Sequence, residues 1–478
     1  MLSRPEYFRL TSPRRAAALI ATMCGAGTGL PSAALGAREP DEPPVLTAEV
    51  AEMEVLEGPQ NLPGSITGDR ERPSEEPGTR PEGETPAEAR DWFGTKTWWE
   101  WEQATGDWAG FRTRLEDAGL SFAGSYTFDL QGAWSGGVDQ RSTYDHLLDF
   151  NATLDLERAF GIKGGSVYVD FQSTAGDSPS RRIGDFHGTS NIEEAQSRDQ
   201  VAELWYQQWL FDNVLRLKVG KVDGNKEFDF TEAGAEFLNT GAGLDTTNAL
   251  LPCYPDPAMS VNLFVYPSEK WYIGFGFYDG AGNDGIRTGE RGPATFFSDE
   301  LSDDFFYTAE TGVTFDTVWF IRDLRIAAGV WHHDGDFAEF DGGTSSGATG
   351  FYALSEANFW KADPNNNDDS RGLYGFFRYG HAEEDISAAV NALGAGLKLQ
   401  GTFETRDDDS AGVFVGWTDL SDEDGAGFEN DETVVEVYYR MNVTPFIHVV
   451  PDIQFIFDSN GGATEDTVVG GVRVSIDF

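Results

Sequence analysis

Apolar and polar residues alternate with a period of two along most of the chain after Gly119. In the final segment, 467–478, one phase carries valines, an isoleucine and a terminal phenylalanine, whereas the other carries Arg473, Ser475 and Asp477. Successive side chains of a β-strand point to opposite faces, so this period predicts strands with one apolar and one polar face. An early segment, 148–157, alternates in the same way.

About sixteen such segments follow one another, separated by loops rich in Gly, Asp, Asn and Ser. They fall near 120–132, 144–158, 165–174, 201–212, 214–221, 258–266, 270–279, 305–315, 324–333, 349–359, 371–380, 388–401, 411–418, 432–443, 446–458 and 467–478. Short and long connections tend to alternate, as in barrels with tight turns at one end and long loops at the other. The pattern predicts an all-β domain over 119–478, an antiparallel β-barrel of about sixteen strands.

Alternation alone does not separate a soluble β-sandwich from a membrane barrel, because the apolar face can meet either a core or lipid. Three features favour the transmembrane barrel. The polar phases carry both charges, as in Arg440 beside Glu436; aromatic residues lie near strand ends; and the chain stops on Phe478. No segment after the N-terminal leader has eighteen successive apolar residues, which argues against a transmembrane helix there. A secreted β-sandwich lectin stays as the alternative.

Three segments precede the barrel. Residues 1–37 read as a cleaved signal peptide, since Arg14 and Arg15 precede an apolar stretch and small residues that suit cleavage. Gly and Pro interrupt that stretch, which disfavours the alternative of a membrane anchor. Residues 38–90 are acidic and rich in Pro and Glu, a composition that predicts disorder. Residues 91–118 are rich in Trp and predict a periplasmic or plug-like N-terminal segment.

Charge and cysteine usage narrow the chemistry. The formal net charge is -47 at pH 7, which makes nucleic acid an improbable partner. Cys24 lies in the leader, so Cys253 has no intrachain disulfide partner after cleavage. The Asp-rich loops 363–369 and 407–409 read as solvated turns, because the first lacks the Gly and Glu of a calcium loop. We predict no metal, cofactor or catalytic residue; a barrel hydrolase, which needs a converging Ser, His and acid, is a remote alternative.

Four stretches resemble the carbohydrate-selective outer-membrane porins of the OprB family. Residues 105–115 (TGDWAGFRTRL) are similar to the family's opening G-D-W-G-G-x-R-x-x-L, and 215–221 (LRLKVGK) to its V-K-x-G strand. Residues 387–401 resemble its S-L-G-A-G-L strand, and 432–478 its closing three strands. Some members have a Cys pair after the V-K-x-G strand, where this chain has only Cys253. The resemblance implies a sixteen-stranded barrel, constricted by inward loops, through which glucose and other small saccharides diffuse passively.

Candidate pore-lining residues follow from strand phase and from the resemblance. The substrate-binding candidates are Arg181, Arg182, Glu203, Trp205, Trp209, Arg216 and Lys218. The adjacent arginines correspond to a family stretch near the constriction, and the others share the polar phases of two strands. They could equally be ordinary lumen charges, or, for the tryptophans, an interface belt. The loop 226–257 is long enough to fold inward as a constriction or to cover the pore from outside.

The resemblance also implies location and partners. We expect the protein in the bacterial outer membrane, in contact with its lipid and lipopolysaccharide. Small saccharides are the expected solutes, and the barrel-assembly machinery is expected to recognise Phe478. A monomer and a homotrimer are both compatible with the sequence. A general or cation-preferring diffusion porin is the alternative function, since a lumen short of positive charge repels anions.

Overall fold

The structure is a computed structural model that describes residues 96–478, apart from residues 195, 298–301, 365 and 367–368. The predicted signal peptide (1–37), the predicted disordered segment (38–90) and the first residues of the Trp-rich segment (91–95) lie outside the described residues.

The described chain is dominated by sixteen strands, each of which overlaps one of the segments predicted from the alternating pattern. They are β1 (Leu120–Ser135), β2 (Thr143–Asp155), β3 (Gly165–Gly176), β4 (Arg198–Leu210), β5 (Leu215–Val222), β6 (Ala258–Ser268), β7 (Trp271–Asp279), β8 (Phe305–Val318), β9 (Ile321–Ala338), β10 (Thr344–Lys361), β11 (Gly372–Ala382), β12 (Ala389–Gln400), β13 (Ser410–Leu420), β14 (Glu432–Thr444), β15 (Ile447–Phe457) and β16 (Thr467–Asp477). The predicted strand count is confirmed.

Each strand pairs antiparallel with its neighbours in sequence, and β1 pairs with β16 to close a barrel. Across this seam Tyr126 lies opposite Ile476, and Asp129 lies opposite Arg473. The Arg473 guanidinium donates two hydrogen bonds of 2.7 Å to the Asp129 carboxylate. Closure gives the backbone N–H and C=O groups of both terminal strands hydrogen-bond partners, so no sheet edge is left unpaired.

The faces of the barrel are the reverse of those of a soluble protein. On β14, Glu436 is 0% exposed, whereas the next residue, Val437, is 43% exposed. On β1, Thr127 and Asp129 are buried and Leu130 is exposed. A sandwich places its apolar phase inside; here the polar phase is inside and the apolar phase forms the outer wall, as lipid requires. The transmembrane barrel is therefore confirmed against the sandwich.

The two ends of the barrel differ. One end has tight turns at 211–214, 269–270, 319–320 and 445–446, and the other has the long loops 177–197, 223–257 and 280–304. Short turns are periplasmic and long loops extracellular in barrels of this kind. Short helices lie in the connections and N-terminal segment, at Phe111–Asp117, Leu156–Phe160, Pro179–Ile183, Thr240–Gly243 and Ala294–Phe297, with 3-10 turns at Trp98–Glu100, Trp108–Gly110, Gly234–Glu236, Thr246–Asn248, Ala281–Asp284 and Thr288–Glu290. No helix among the described residues is long and apolar enough to cross a membrane.

The described part of the Trp-rich segment lies against the short-turn end. The Trp98 ring packs on Phe446 of the β14–β15 turn, with ring centroids 4.8 Å apart. The backbone N–H of Ala104 donates to the carbonyl of Asp477, and the Arg112 guanidinium donates to the carbonyl of Phe122. The segment is thus tied to the first and last strands beside the seam.

Candidate pore constriction

The loop 223–257, which connects β5 to β6, folds into the barrel and reaches the opposite wall. The backbone N–H groups of Leu238 and Asn239 donate to the Glu436 carboxylate on β14, at 2.8 and 2.9 Å. Nearer its start, the N–H of Asp229 donates to Glu310 on β8 at 3.0 Å. The sequence left open whether this loop folds inward as a constriction or covers the pore from outside; in the structure it folds inward.

Aromatic side chains fix this loop by burial inside the lumen. Phe237 is fully buried against Tyr438, with ring centroids 4.9 Å apart, and also contacts Phe376 and Phe414. Gly412 makes room for it, because a Cβ atom there would lie 2.8 Å from the tip of the Phe237 ring. Burying one such ring stabilises the loop by about 2 kcal/mol or more.

A second loop, 177–197, also turns inward and meets the first. The buried Glu432 carboxylate on β14 accepts hydrogen bonds from the backbone N–H groups of Phe186 and His187. The side chain of Asn191 donates to the carbonyl of Phe237 at 3.0 Å and so joins the two loops. Together the loops 177–197 and 223–257 narrow the lumen; we call them the constriction loops.

A buried cluster of charges holds the root of the loop 223–257. The Glu227 carboxylate pairs with Arg216, and with Lys218 at 2.5 Å. The Arg216 guanidinium, 1% exposed, also lies 4.3 Å from the Phe264 ring centroid. Burial raises the pKa of the Glu227 carboxyl, but the two cations outweigh burial and leave that pKa below its usual range. Arg216 and Lys218 therefore position the loop.

Glu203 and Trp205 on β4 lie beside this cluster. The Glu203 carboxylate pairs with Lys226 of the loop and accepts a hydrogen bond from the Trp205 indole at 3.2 Å. The indole stacks on Tyr168 with ring centroids 4.8 Å apart, and Lys218 Nζ lies 4.1 Å from its centroid. Trp205 is half-buried, so part of its surface stays open to the lumen.

The other three candidates lie apart from this group. Arg182 pairs with Asp177, and with Asp139 at 3.3 Å, close to the extracellular rim. Arg181 is half-buried, and its Nε and Nη2 atoms have no hydrogen-bond partner among the described residues. Trp209 lies near the short-turn end of β4, with its ring centroid 5.3 Å from that of Tyr266. The structure thus brings four of the seven candidates together at the root of the loop.

Sequence reasoning missed Glu236, which anchors the middle of the same loop. Its carboxylate pairs with Lys398 at 3.1 Å and Arg440 at 3.4 Å, and accepts a hydrogen bond from the Tyr438 hydroxyl at 2.6 Å. Burial raises its pKa, but the two cations and the hydroxyl lower it to about 2. Its partners lie more than a hundred residues away in sequence, so no local pattern marks it.

The Asp-rich turns are cross-linked by an arginine. Residues 365, 367 and 368 of the loop 363–369 lie outside the described residues. Arg371 donates to Asp369 at 2.9 Å and pairs with Asp407 at 3.3 Å. Across the described parts of the chain, no three His, Cys, Asp or Glu side chains are grouped to hold a metal ion.

A closed sixteen-strand barrel with an apolar outer wall, a polar lumen and inward loops defines a membrane channel of the porin class. The comparisons with known proteins agree. The family model "Carbohydrate-selective porin, OprB family" matches residues 139–478. Porin B of Pseudomonas aeruginosa is 23% identical over 424 residues, which are 78% of this chain and 90% of that protein.

Solved structures show the same fold. The high-pH structure of OprB from Pseudomonas putida superposes with a TM-score of 0.70 at 18% identity, covering 79% of this chain and 99% of that one. The low-pH structure of that protein has a TM-score of 0.52 at 17% identity. The chain belongs to the carbohydrate-selective porin family, OprB. It is an outer-membrane channel for the passive diffusion of carbohydrates.

Proposed function

We propose that this porin admits small neutral saccharides through an opening bounded by the constriction loops. The observation that carries this proposal is the path of the loop 223–257, from β5 to Glu436 on the far wall. A loop held at both ends and along its length sets a fixed opening, which selects solutes by size. The polar wall beside it supplies donors and acceptors that match sugar hydroxyls.

The roles proposed for the candidate residues differ with their burial. Arg216 and Lys218 are buried and paired, so they hold the loop in place. Trp205 and Lys226 are only partly covered and offer an aromatic edge and a cation to a passing solute. Arg181 and Arg182 lie near the extracellular rim, where an arginine fork can bond adjacent hydroxyls. Transport then involves weak binding that allows exit, and no covalent step.

Single-channel recording in planar lipid bilayers tests the function. The purified porin is expected to give stepwise conductance that falls saturably as glucose or maltose is added. In Trp205→Ala, the sugar concentration for half-block is expected to rise about threefold to tenfold, because one apolar contact is lost. Leu204→Ala, on the lipid-facing phase of the same strand, is the matched control and is expected to behave as wild type. Steps that ignore sugar at any concentration would contradict saccharide selectivity.

A cation-preferring pore is the second candidate, favoured by the charge balance. The chain carries 81 acidic against 34 basic residues, and several buried carboxylates lie on the inward faces of the strands, among them Asp149, Asp170 and Asp452. The reversal potential under a KCl gradient separates the two candidates. A strong cation preference without sugar block supports the second, and sugar block with weak ion selectivity supports the first.

Export and assembly complete the proposal. We propose that residues 1–37 direct secretion and are cleaved, that residues 38–90 belong to the periplasmic side, and that the described part of 91–118 covers the periplasmic end of the barrel. Phe478 follows β16 at the seam, where its N–H donates to the carbonyl of Gly124 at 2.9 Å, and we propose that the assembly machinery recognises it. The outer wall contacts lipid and lipopolysaccharide. The protein is a monomer or a homotrimer. Deleting Phe478 is expected to reduce the folded fraction in the outer membrane.

A further inference from the structure

A separate cavity lies on the periplasmic side of the loop 223–257. Its volume is about 630 Å³. Glu232 and Ala233 of the loop form its roof, the wall comes from β8 to β12, and Lys270 and Ser370 lie at the short-turn end. We call this cavity the vestibule. It falls in the range of about 300–1,000 Å³ that small-molecule sites occupy in proteins.

The vestibule wall offers hydrogen-bonding groups of several kinds at close range. Asn358 and Gln400 contribute amides, and Tyr374 contributes a phenol. The Tyr374 hydroxyl donates to the carbonyl of Ser370 at 2.7 Å, which leaves its oxygen free to accept. Amides and a phenol together provide donors, acceptors and a ring, which is the chemistry that a sugar's hydroxyls and C–H groups need.

Each of the three basic residues of the wall is paired with a carboxylate. Arg325 pairs with Glu356 at 3.0 Å and with Glu310 at 3.2 Å, Lys398 pairs with Glu236 at 3.1 Å, and Lys270 pairs with Asp316. Glu232, Glu269 and Asp323 add further acidic side chains to the wall. An anionic solute would be repelled by this excess of carboxylates, whereas a neutral polyol can hydrogen-bond beside the ion pairs. The wall therefore disfavours an anion and suits an uncharged ligand.

One amide in the wall has an unmet acceptor. The Asn358 side chain is 4% exposed, and its Oδ1 atom has no hydrogen-bond partner in the described part of the chain. A buried acceptor without a partner is unfavourable, because it has given up its hydrogen bonds to water. A sugar hydroxyl that donates to this oxygen from the vestibule would satisfy it and so contribute to binding.

We propose that the vestibule is a second saccharide subsite, on the exit side of the constriction, in which Asn358, Gln400 and Tyr374 bind a neutral sugar. The inference rests on the proposed function of the pore and adds to it. A sugar that has passed the loop is held weakly before release to the periplasm. Two weak sites in series attract a solute while still allowing it to leave.

Side-specific sugar block in planar bilayers tests the subsite, with maltose as the probe. The orientation of each channel is identified with Glu465→Cys in the extracellular loop 458–466. An impermeant thiol reagent labels this cysteine only from the chamber that the loop faces. The native Cys253 is buried and does not interfere. The variants are Asn358→Leu, Tyr374→Ala and Tyr374→Phe, and the control is Phe377→Ala, an exposed position on the lipid-facing phase of β11.

With maltose on the periplasmic side, Asn358→Leu and Tyr374→Ala are expected to raise the half-block concentration about threefold to tenfold. Tyr374→Phe is expected to recover part of the loss by restoring the ring, and Phe377→Ala to match wild type. Block from the extracellular side is expected to change less than twofold. If wild type is blocked by sugar and the variants are indistinguishable from it on both sides, the second subsite is wrong while the saccharide pore stands. If wild type itself is not blocked from either side, the proposed function fails, and the subsite fails with it.

Discussion

Buried charges decide how the lumen is built at the scale of single residues. Glu227 is fully enclosed by the cations of Arg216 and Lys218, and each of the three would be costly to bury alone. Glu236 with Lys398 and Arg440 repeats the arrangement further along the loop. Glu227 and Glu236 thus each meet two cations on the wall, which neutralise the carboxylate and fix the position of the loop.

Glu227→Gln is expected to destabilise the barrel by about 3 kcal/mol or more, because two buried cations lose their anion. The thermal transition of the folded barrel in detergent measures this loss, and open-channel noise is expected to rise as the loop loosens. Asp212→Asn, at an exposed periplasmic turn, is the control and is expected to shift the transition by less than about 0.5 kcal/mol. An unchanged transition in Glu227→Gln would show that the cluster does not hold the loop.

Glu193 gives the loop 177–197 a dependence on pH. Its carboxyl accepts hydrogen bonds from the backbone and hydroxyl of Ser180, at 3.1 and 2.9 Å. Burial, with the nearby Asp185, raises its pKa to about 8. Because the folded pKa lies above the unfolded value near 4.5, its contribution to stability is present below pH 4.5 and is lost as the pH rises through 8.

Hydrogen exchange of the loop 177–197 is therefore expected to be slow at pH 6 and faster at pH 9, after correction for the intrinsic exchange rate. Glu193→Gln keeps the acceptor oxygen but cannot ionise, so its protection is expected to change less between the two pH values than that of wild type, with Asp185 accounting for part of the remaining change. Equal protection in wild type would contradict the assignment of the pH dependence to this carboxyl.

The constriction loops matter most at the scale of elements. The loop 223–257 is held by aromatic burial at Phe237, by backbone hydrogen bonds to Glu436 and by the charge clusters at its root and middle. These contacts reach walls on both sides of the lumen. The loop consequently spans the lumen from one wall to the other. Removing or loosening it is expected to change the conductance of the channel more than the stability of the barrel.

Phe237→Ala is expected to cost about 3–5 kcal/mol of loop stability, because a large buried ring leaves a cavity among Phe376, Phe414 and Tyr438. Single-channel recordings are expected to show larger and noisier conductance, and weaker block by sugar. Phe320→Ala is the control, because it makes the same substitution at an exposed turn outside the lumen. Its conductance is expected to match that of wild type. Wild-type conductance in Phe237→Ala would mean that the loop tip does not limit the pore.

At the scale of the whole molecule, the barrel separates two solvents. The outward phase of the strands is apolar and faces lipid, whereas the inward phase carries the lumen charges together with aromatic residues that pack against the loops. Closure at β1 and β16 leaves no sheet edge unpaired. Stability thus depends on the outer wall staying apolar around the full circumference, and not on a conventional core. In the described part of the chain, buried apolar clusters lie where the constriction loops meet the wall.

Val437→Arg, near the middle of β14 on the outer wall, is expected to destabilise the barrel by about 2–4 kcal/mol, as a cation at the bilayer midplane does. Urea-induced unfolding from lipid vesicles measures the change. Val437→Leu, which stays apolar, is the control and is expected to be close to neutral. A neutral Val437→Arg would place this face away from lipid, for example in a subunit interface.

Much of the barrel was open to prediction from sequence because its signal is local. The period of two marks each strand and its faces, and all sixteen segments were found. The predicted strand ends were less accurate. β9 ends at Ala338, beyond the predicted 324–333, and β10 begins at Thr344, before the predicted 349–359. There the strands carry Gly, Asp and Ser outside the membrane zone, where ladder hydrogen bonds hold them without alternation.

Sequence by itself thus determined the strands, their faces and, through the resemblance confirmed by the family match, the class of channel. Only the tertiary structure decided where the long loops go and which lumen charges pair. Glu236 and Glu432 meet partners more than a hundred residues away in sequence, and Glu227 meets two cations of the preceding strand only because its loop folds back inward; such pairs leave no periodic trace in the chain. The strands can be predicted because every second side chain faces lipid and must be apolar. The constriction cannot, because its contacts form only once the barrel has closed and brought distant residues together.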